Sequence, residues 1–239
     1  MTVGVFMSCK VDIGVIGALD EEVASLIGKL SDVERKVVGG ITLHIGKLSG
    51  RSVAVARSGV GKVFAAMCAE AMIVEANPSL LVNTGVGGAL RGGFKPTDTA
   101  IAKRLVQHDM DTSAIGDPVG LISGINKVYF DADERAVDIL LSGASALGIN
   151  ATVATVASGD KFIAGKDDKK RIIETFSADV CEMEGAAIAQ VAYVNKTPFA
   201  VIRAISDSAD EGATMDYLEF LPVAAKNSAA LTEYLIENY

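Results

Sequence analysis

The chain has 239 residues, 50% of them hydrophobic, which is enough to bury one substantial core. Its 22 Lys+Arg against 30 Asp+Glu give a net charge of -8, a sign that repels phosphate backbones and excludes nucleic acid as an expected partner. There is no apolar run of about eighteen residues, so no membrane span is expected and the apolar fraction points to a filled interior or a subunit interface.

In chain order, residues 1–11 read as an N-terminal extension without the basic start or apolar length of a signal peptide. Within it, Phe6-Met7-Ser8-Cys9 has some likeness to a lipoprotein cleavage box, which leaves an exported form anchored through Cys9 open. Asp12 to Ala18 predicts a short buried strand, and Asp20 to Leu30 a helix with Val23, Leu26, Ile27 and Leu30 on one face. Val37 to Ile45 and Ser52 to Ser58 read as hairpin strands, punctuated by Gly39-Gly40 and Ser49-Gly50. Gly61 to Ala76 is an Ala-rich helix broken by Pro78, and Leu80 to Asn83 a strand ending in the glycine loop 85–88. Thr97 to Val106 predicts a strand, Asp133 to Leu147 a helix, Ala151 to Ser158 a strand and Lys166 to Phe176 an amphipathic helix. Val180 to Tyr193 enters through an acidic triplet and continues as a helix. Pro198 then starts the strand Phe199 to Ser206, and Thr214 to Tyr239 closes the chain as a helix. This alternation predicts an α/β fold: a three-layer αβα sandwich with a mixed, largely parallel central sheet, in one domain over residues 12–239.

Three cysteines, Cys9, Cys68 and Cys181, without CxxC spacing, and only His44 and His108, predict reduced thiols, a cytoplasmic location, no metal and no cofactor. Chemistry in such sheets sits beyond the carboxyl ends of strands. Four segments meet that condition. Asp20-Glu21-Glu22 opens a helix, where complementing the helix dipole would also explain the acids. Glu182 and Glu184, two residues apart among apolar neighbours, predict two carboxylates on one strand face that need a hydrogen-bonding or ligand partner. Arg203 lies in an apolar strand ending Ser206-Asp207, where an internal Arg–Asp ion pair is the plain structural alternative. Asn83-Thr84-Gly85-Val86-Gly87-Gly88 allows close backbone approach to a ligand, although a tight turn has the same composition.

Together these blocks resemble the nucleoside phosphorylase and nucleosidase family, most closely its methylthioadenosine/S-adenosylhomocysteine nucleosidase branch. The resemblance runs from Asp12 to the C-terminal helix through Ile13–Glu22, Ser58-Gly-Val-Gly-Lys62, Asn83-Thr-Gly85, Ser158-Gly-Asp-Lys-Phe-Ile163, Glu182-Met-Glu184 and Arg203-Ala-Ile-Ser-Asp207. It implies a phosphorylase-like fold and a hydrolase that cuts the N-glycosidic bond of methylthioadenosine or S-adenosylhomocysteine. By that likeness Asp207 protonates purine N7, with Ser206 orienting it. Glu184 holds the ribose hydroxyls, Met183 packs on the sugar and Glu22 deprotonates the attacking water. Arg203 sits behind, bonded to the water or to the carboxylates, and Glu182 is counted among the substrate-binding residues. Phe162 stacks on the base while the Ile163 backbone reads its edge, and Val60, Val86, Gly87 and Tyr217 complete the substrate wall.

The family's phosphorylases carry an arginine and a hydroxyl residue around the glycine loop. Here those positions look like Asn83 and Val86, and Glu22 would repel phosphate, which favours water as nucleophile. Polar residues Thr112, Asp117 and Ser123, together with Ile115, depart from the family in a loop that lines the 5′ pocket across a homodimer. The alternatives are a futalosine-type hydrolase or a nucleoside phosphorylase and, in another class, an inactive nucleoside-binding protein. The expected partners are a small nucleoside and a second copy of the chain.

Overall fold

The computed structural model describes residues 10–209 and 213–239. Strand β1 (Ile13–Gly17) leads to helix α1 (Asp20–Lys29), then β2 (Ser31–Val38), β3 (Ile41–Leu48), β4 (Arg51–Arg57), α2 (Lys62–Ala76), β5 (Leu80–Ala89) and β6 (Thr99–Gln107). There follow β7 (Tyr129–Asp131), α3 (Glu134–Leu147), β8 (Ala151–Ser158), α4 (Lys166–Phe176), β9 (Val180–Glu182), α5 (Gly185–Asn195), β10 (Phe199–Asp207) and α6 (Ala213–Asn238).

Continuous apolar strands such as β1 are buried on both faces, which is what a sheet covered by helices on either side requires. Helices α2 and α5 pack on each other over one face, while α1 and α3 pack against α6 over the other. The two main core clusters lie on opposite sides of the sheet, one containing Cys68, Met72 and Ile188, the other Leu26, Leu140 and Leu235. The result is the expected α/β sandwich.

Among the described residues ten strands join one mixed sheet. Parallel pairings link β1 to both β4 and β5, β5 to β10, β6 to β8 and β8 to β9. Strand β10 also pairs antiparallel with β6, and β9 pairs antiparallel with β5, so β5, β10, β6, β8 and β9 close into a circuit. That closure gathers the carboxyl ends of β5, β9 and β10 at one place.

Two sequence expectations change. The turn read at Gly39-Gly40 is present, at φ 56° and 81°, but it follows a full strand, β2, of which the sequence reading included only Val37 and Val38. Strand β2 lacks apolar alternation because it is an edge strand with mostly exposed side chains. The glycines 85–88 are not a loop either. They continue β5, held by β10 on one side and β9 on the other. A Cβ at Gly85 would stand 2.6 Å from Glu22 Oε1, and one at Gly88 2.7 Å from Asp207 Oδ1. Glycine there is what lets a central strand run beneath carboxylates.

Candidate active site

Three acids open α1, and only one turns inward. Asp20 is exposed beside Arg57 at 3.3 Å and Glu21 faces solvent, whereas Glu22 is 3% exposed. Glu22 Oε2 accepts from Ala18 N at 2.6 Å and Leu19 N at 3.0 Å, and Oε1 from Val86 N at 3.1 Å. Burial raises its pKa and prevails over the opposing Arg203 charge and backbone donors, leaving it above the usual carboxylate range.

Glu182 ends β9, while Glu184 sits at the N-cap of α5 with φ -133° and ψ -41°, so the chain turns between them. The sequence spacing predicts one shared strand face; instead the turn separates the two carboxylates and aims them at different partners. Glu182 accepts from Arg203 Nε at 3.0 Å, from Arg203 Nη2, from Ser158 Oγ, and from Gly185 N at 2.7 Å. Burial alone would raise its pKa, but the Arg203 charge and these bonds outweigh it and hold Glu182 below the ordinary range. Glu184 accepts from Gly61 N at 2.8 Å and stands 3.9 Å from Arg203 Nη2. Burial, then the neighbouring Glu182 charge, pushes it up to about 7. Arg203, 1% exposed, also donates to Asn83 Oδ1 and to Ile202 O at 3.2 Å. Its ion pair is with Glu182, not with Asp207, the aspartate that follows it in the strand.

At the end of β10, Ser206 Oγ donates to Asp207 Oδ2 at 2.8 Å and Ala209 N to Oδ1 at 2.8 Å. These groups border a cavity of about 310 Å³. Among the described residues its wall carries four carboxylates, Glu22, Glu182, Glu184 and Asp207, and one cation, Lys161, which pairs with Asp168 at 2.5 Å. Across its mouth the rings of Phe162 and Tyr217 meet edge to face, 5.7 Å between centroids. A site this acidic suits a neutral or cationic organic ligand with hydroxyls to donate, and it opposes an anionic one.

The model of the phosphorylase superfamily matches residues 12–237. The chain belongs to the phosphorylase superfamily. A 5′-methylthioadenosine/S-adenosylhomocysteine nucleosidase from Haemophilus ducreyi is 34% identical over 96% of this chain and 99% of its own. The crystal structure of such a nucleosidase from Neisseria meningitidis, in complex with methylthio-immucillin-A, superposes with a TM-score of 0.92. It is 33% identical and covers 95% of this chain and 99% of that one. Futalosine hydrolase from Helicobacter pylori is also similar, with a TM-score of 0.90, 32% identity, and 95% and 98% coverage.

In this superfamily member, every residue to which the resemblance gives a catalytic or substrate-wall role lines the cavity, except Arg203. Glu22 comes from α1, Val60 from the segment before α2, Val86 and Gly87 from β5, and Ser206 and Asp207 from β10. Phe162 and Ile163 follow β8, Glu182, Met183 and Glu184 span the β9–α5 turn, and Tyr217 reaches in from α6. Arg203 lies behind the wall, bonded to Glu182, Asn83 and Ile202 O. Thr112 and Ser123 instead close their own loop, donating to Asp117 Oδ2 at 2.8 Å and 3.2 Å, and do not line this cavity. Cys9 lies outside the described residues.

Sequence reasoning passed over Ser158, fully buried, which bonds Glu182 and accepts from Ala186 N at 2.7 Å. It also passed over the Gly61 N–H, and over Lys161 and Cys181 in the wall. Ser158, Gly61 and Lys161 lie inside the sequence blocks Ser58–Lys62 and Ser158–Ile163, where the motif is visible but the role of each residue depends on its partner across the fold.

Proposed function

We propose that the chain is a purine nucleosidase that uses water to cut the N-glycosidic bond of 5′-methylthioadenosine and S-adenosylhomocysteine, releasing adenine and a thioribose derivative. The observation that carries this reading is the charge of the cavity, four carboxylates against one paired cation among the described residues, on a superfamily scaffold. A phosphate dianion has no cradle there: Asn83 is committed to Ile16 O at 2.9 Å and to Arg203, Val86 has no hydroxyl, and Arg203 is not in the wall. Glu22, above the ordinary carboxylate range yet in reach of the cavity, suits a general base.

The groups then divide the work. Water attacks the anomeric carbon and gives its proton to Glu22 as the bond to N9 breaks. The bonding pair enters the purine, and Asp207, steadied by Ser206, delivers a proton at N7. Glu184 accepts from the ribose hydroxyls and stabilises the positive charge that develops on the sugar ring. Arg203 neutralises Glu182, so the charge nearest the sugar is that of Glu184. Phe162 and Tyr217 cover base and sugar.

A second copy of the chain is proposed as partner. Val63, Phe64 and Met67 on α2 are exposed, with Tyr193 and Val194 on neighbouring α5, and Val60 carries this apolar face to the cavity rim. No described helix is long and apolar enough to cross a membrane. A cytoplasmic location, and residues 12–239 acting as one nucleosidase domain, complete the proposal.

The test is adenine release from methylthioadenosine, S-adenosylhomocysteine and 5′-deoxyadenosine, with and without phosphate. Release should be independent of phosphate and fall about 10²- to 10⁴-fold in Asp207→Asn. Strict phosphate dependence would reassign the chain as a phosphorylase. A second reading, futalosine-type hydrolysis, is favoured by the likeness to the Helicobacter pylori enzyme; turnover of futalosine alone would select it.

A further inference from the structure

The segment Ser58-Gly-Val-Gly-Lys62 bonds to three parts of the cavity's surroundings, the stretch before Glu22, Glu184 and the segment that carries Phe162, through atoms the proposed chemistry does not use. Ser58 N and Gly59 N donate to Gly17 O at 2.9 Å and Ala18 O at 3.2 Å, in the stretch that leads into Glu22. Gly61 N donates to Glu184 Oε1 at 2.8 Å. Lys62 N donates to Asp160 Oδ1 at 2.8 Å, two residues before Phe162. Lys62 Nζ donates to Asp109 Oδ1 at 2.6 Å and to Gln107 Oε1 at 3.1 Å, and Asp160 N donates to Asp109 Oδ2 at 2.9 Å.

These bonds form one closed network across the end of β6, the segment after β8 and the start of α2. Asp160 serves α2 as a cap supplied from outside the helix, since no side chain of the helix's own N-cap, Gly61, can satisfy the first donors. Gly61 is at φ 98°, and a Cβ there would stand 3.0 Å from Asp160 Oδ1, so the approach requires glycine.

We propose that Asp160, with Asp109 and Lys62, is a positioning residue that locks the start of α2 to the Lys161–Ile163 segment. The carboxylate that meets the sugar and the ring that meets the base thereby keep a fixed separation. The assignment of base and sugar contacts rests on the nucleosidase reading; the lock itself rests on the bonds above. The scissile bond lies between base and sugar, and a displacement of about 1 Å between groups gripping its two sides costs on the order of a hundredfold in rate. Asp160 and Asp109 are exposed at the surface, so each bond is individually modest and a smaller loss is expected.

The test compares Asp160→Ala and Asp160→Asn with wild type, and uses Lys29→Ala, which breaks the surface pair Lys29–Glu233, as a control for a merely structural loss. Amide exchange at Gly61, read without substrate, should rise about tenfold in Asp160→Ala. In the same variant kcat/KM for methylthioadenosine should fall about threefold to tenfold. Its acid limb should move to higher pH, because Glu184 loses a donor while Glu182, Glu22 and Arg203 still face it. Asp160→Asn keeps the acceptor oxygen and should restore most of both, and Lys29→Ala should change neither. Unaltered Gly61 exchange in Asp160→Ala overturns the lock, whatever the substrate. Wild type that releases no adenine overturns the nucleosidase reading and leaves the exchange result to decide the lock.

Discussion

Glu182 and Glu184, two residues apart and both nearly wholly buried, are driven in opposite directions by where each side chain lands. Arg203 reaches Glu182 with two nitrogens and Glu184 only at 3.9 Å, so one carboxyl is neutralised while burial and the Glu182 charge push the other up to about 7. The sign of the pH dependence follows. Between its ordinary value of 4.5 and about 7, Glu184 holds a proton in the folded chain that the unfolded chain has released. Its contribution to stability is therefore full at low pH and lost as pH rises through about 7. Glu22, also raised, acts with the same sign. Glu182, lowered, has the opposite sign and loses its contribution as pH falls below the ordinary range. Unfolding free energy should decline by up to about 3 kcal/mol between pH 5 and 8, and in Glu184→Gln that decline should shrink, as denaturant titrations at several pH values would show. An equally steep decline in the variant would place the titration elsewhere. Ligand affinity should follow the ionised form of Glu184, rising through neutral pH.

Helix α6 is joined to the sheet by hydroxyls as well as by apolar packing. Ser228 Oγ accepts from Gly85 N at 3.0 Å and lies 2.5 Å from Thr84 Oγ1, which in turn accepts from Thr232 Oγ1 at 3.0 Å, all of them buried. A buried donor left without a partner costs about 1–3 kcal/mol, so Ser228→Ala should lower unfolding free energy by that amount in denaturant titration. The same reasoning applies where β5 passes under the carboxylates. At Gly88 an alanine methyl would meet Asp207 Oδ1, so Gly88→Ala should cut kcat/KM more than tenfold while the melting temperature drops only a few degrees. A large fall in melting temperature without that loss of activity would mean that the glycine serves the sheet alone. Elements such as α1, α3 and α4 were legible in the sequence because their apolar positions repeat with the helical period. The extent of β5 was not, since glycines punctuate loops far more often than they fill central strands, and only pairing to β9 and β10 holds them extended.

At the scale of the molecule, the exposed apolar face of α2 and α5 calls for cover, and a second copy should supply it. Light scattering should give twice the 24.8 kDa chain mass, and Phe64→Lys with Met67→Glu should return it to one chain while lowering activity through the rim residue Val60. A monomeric wild type would leave that face to another partner. By itself the sequence determined the alternation of strands and helices, the sandwich and the segments that carry chemistry, because each depends on periodicity or on motifs a few residues long. Only the tertiary structure decided which acids of those segments work together. Glu22 is buried beneath Val86 while Asp20 and Glu21 are solvated, and Arg203 joins Glu182 and Asn83 instead of Asp207. Gly61 meets Glu184 across 123 residues of chain. Such pairings are set by how the strands close around β5, and the free energy of a buried charge depends on neighbours that no local pattern encodes.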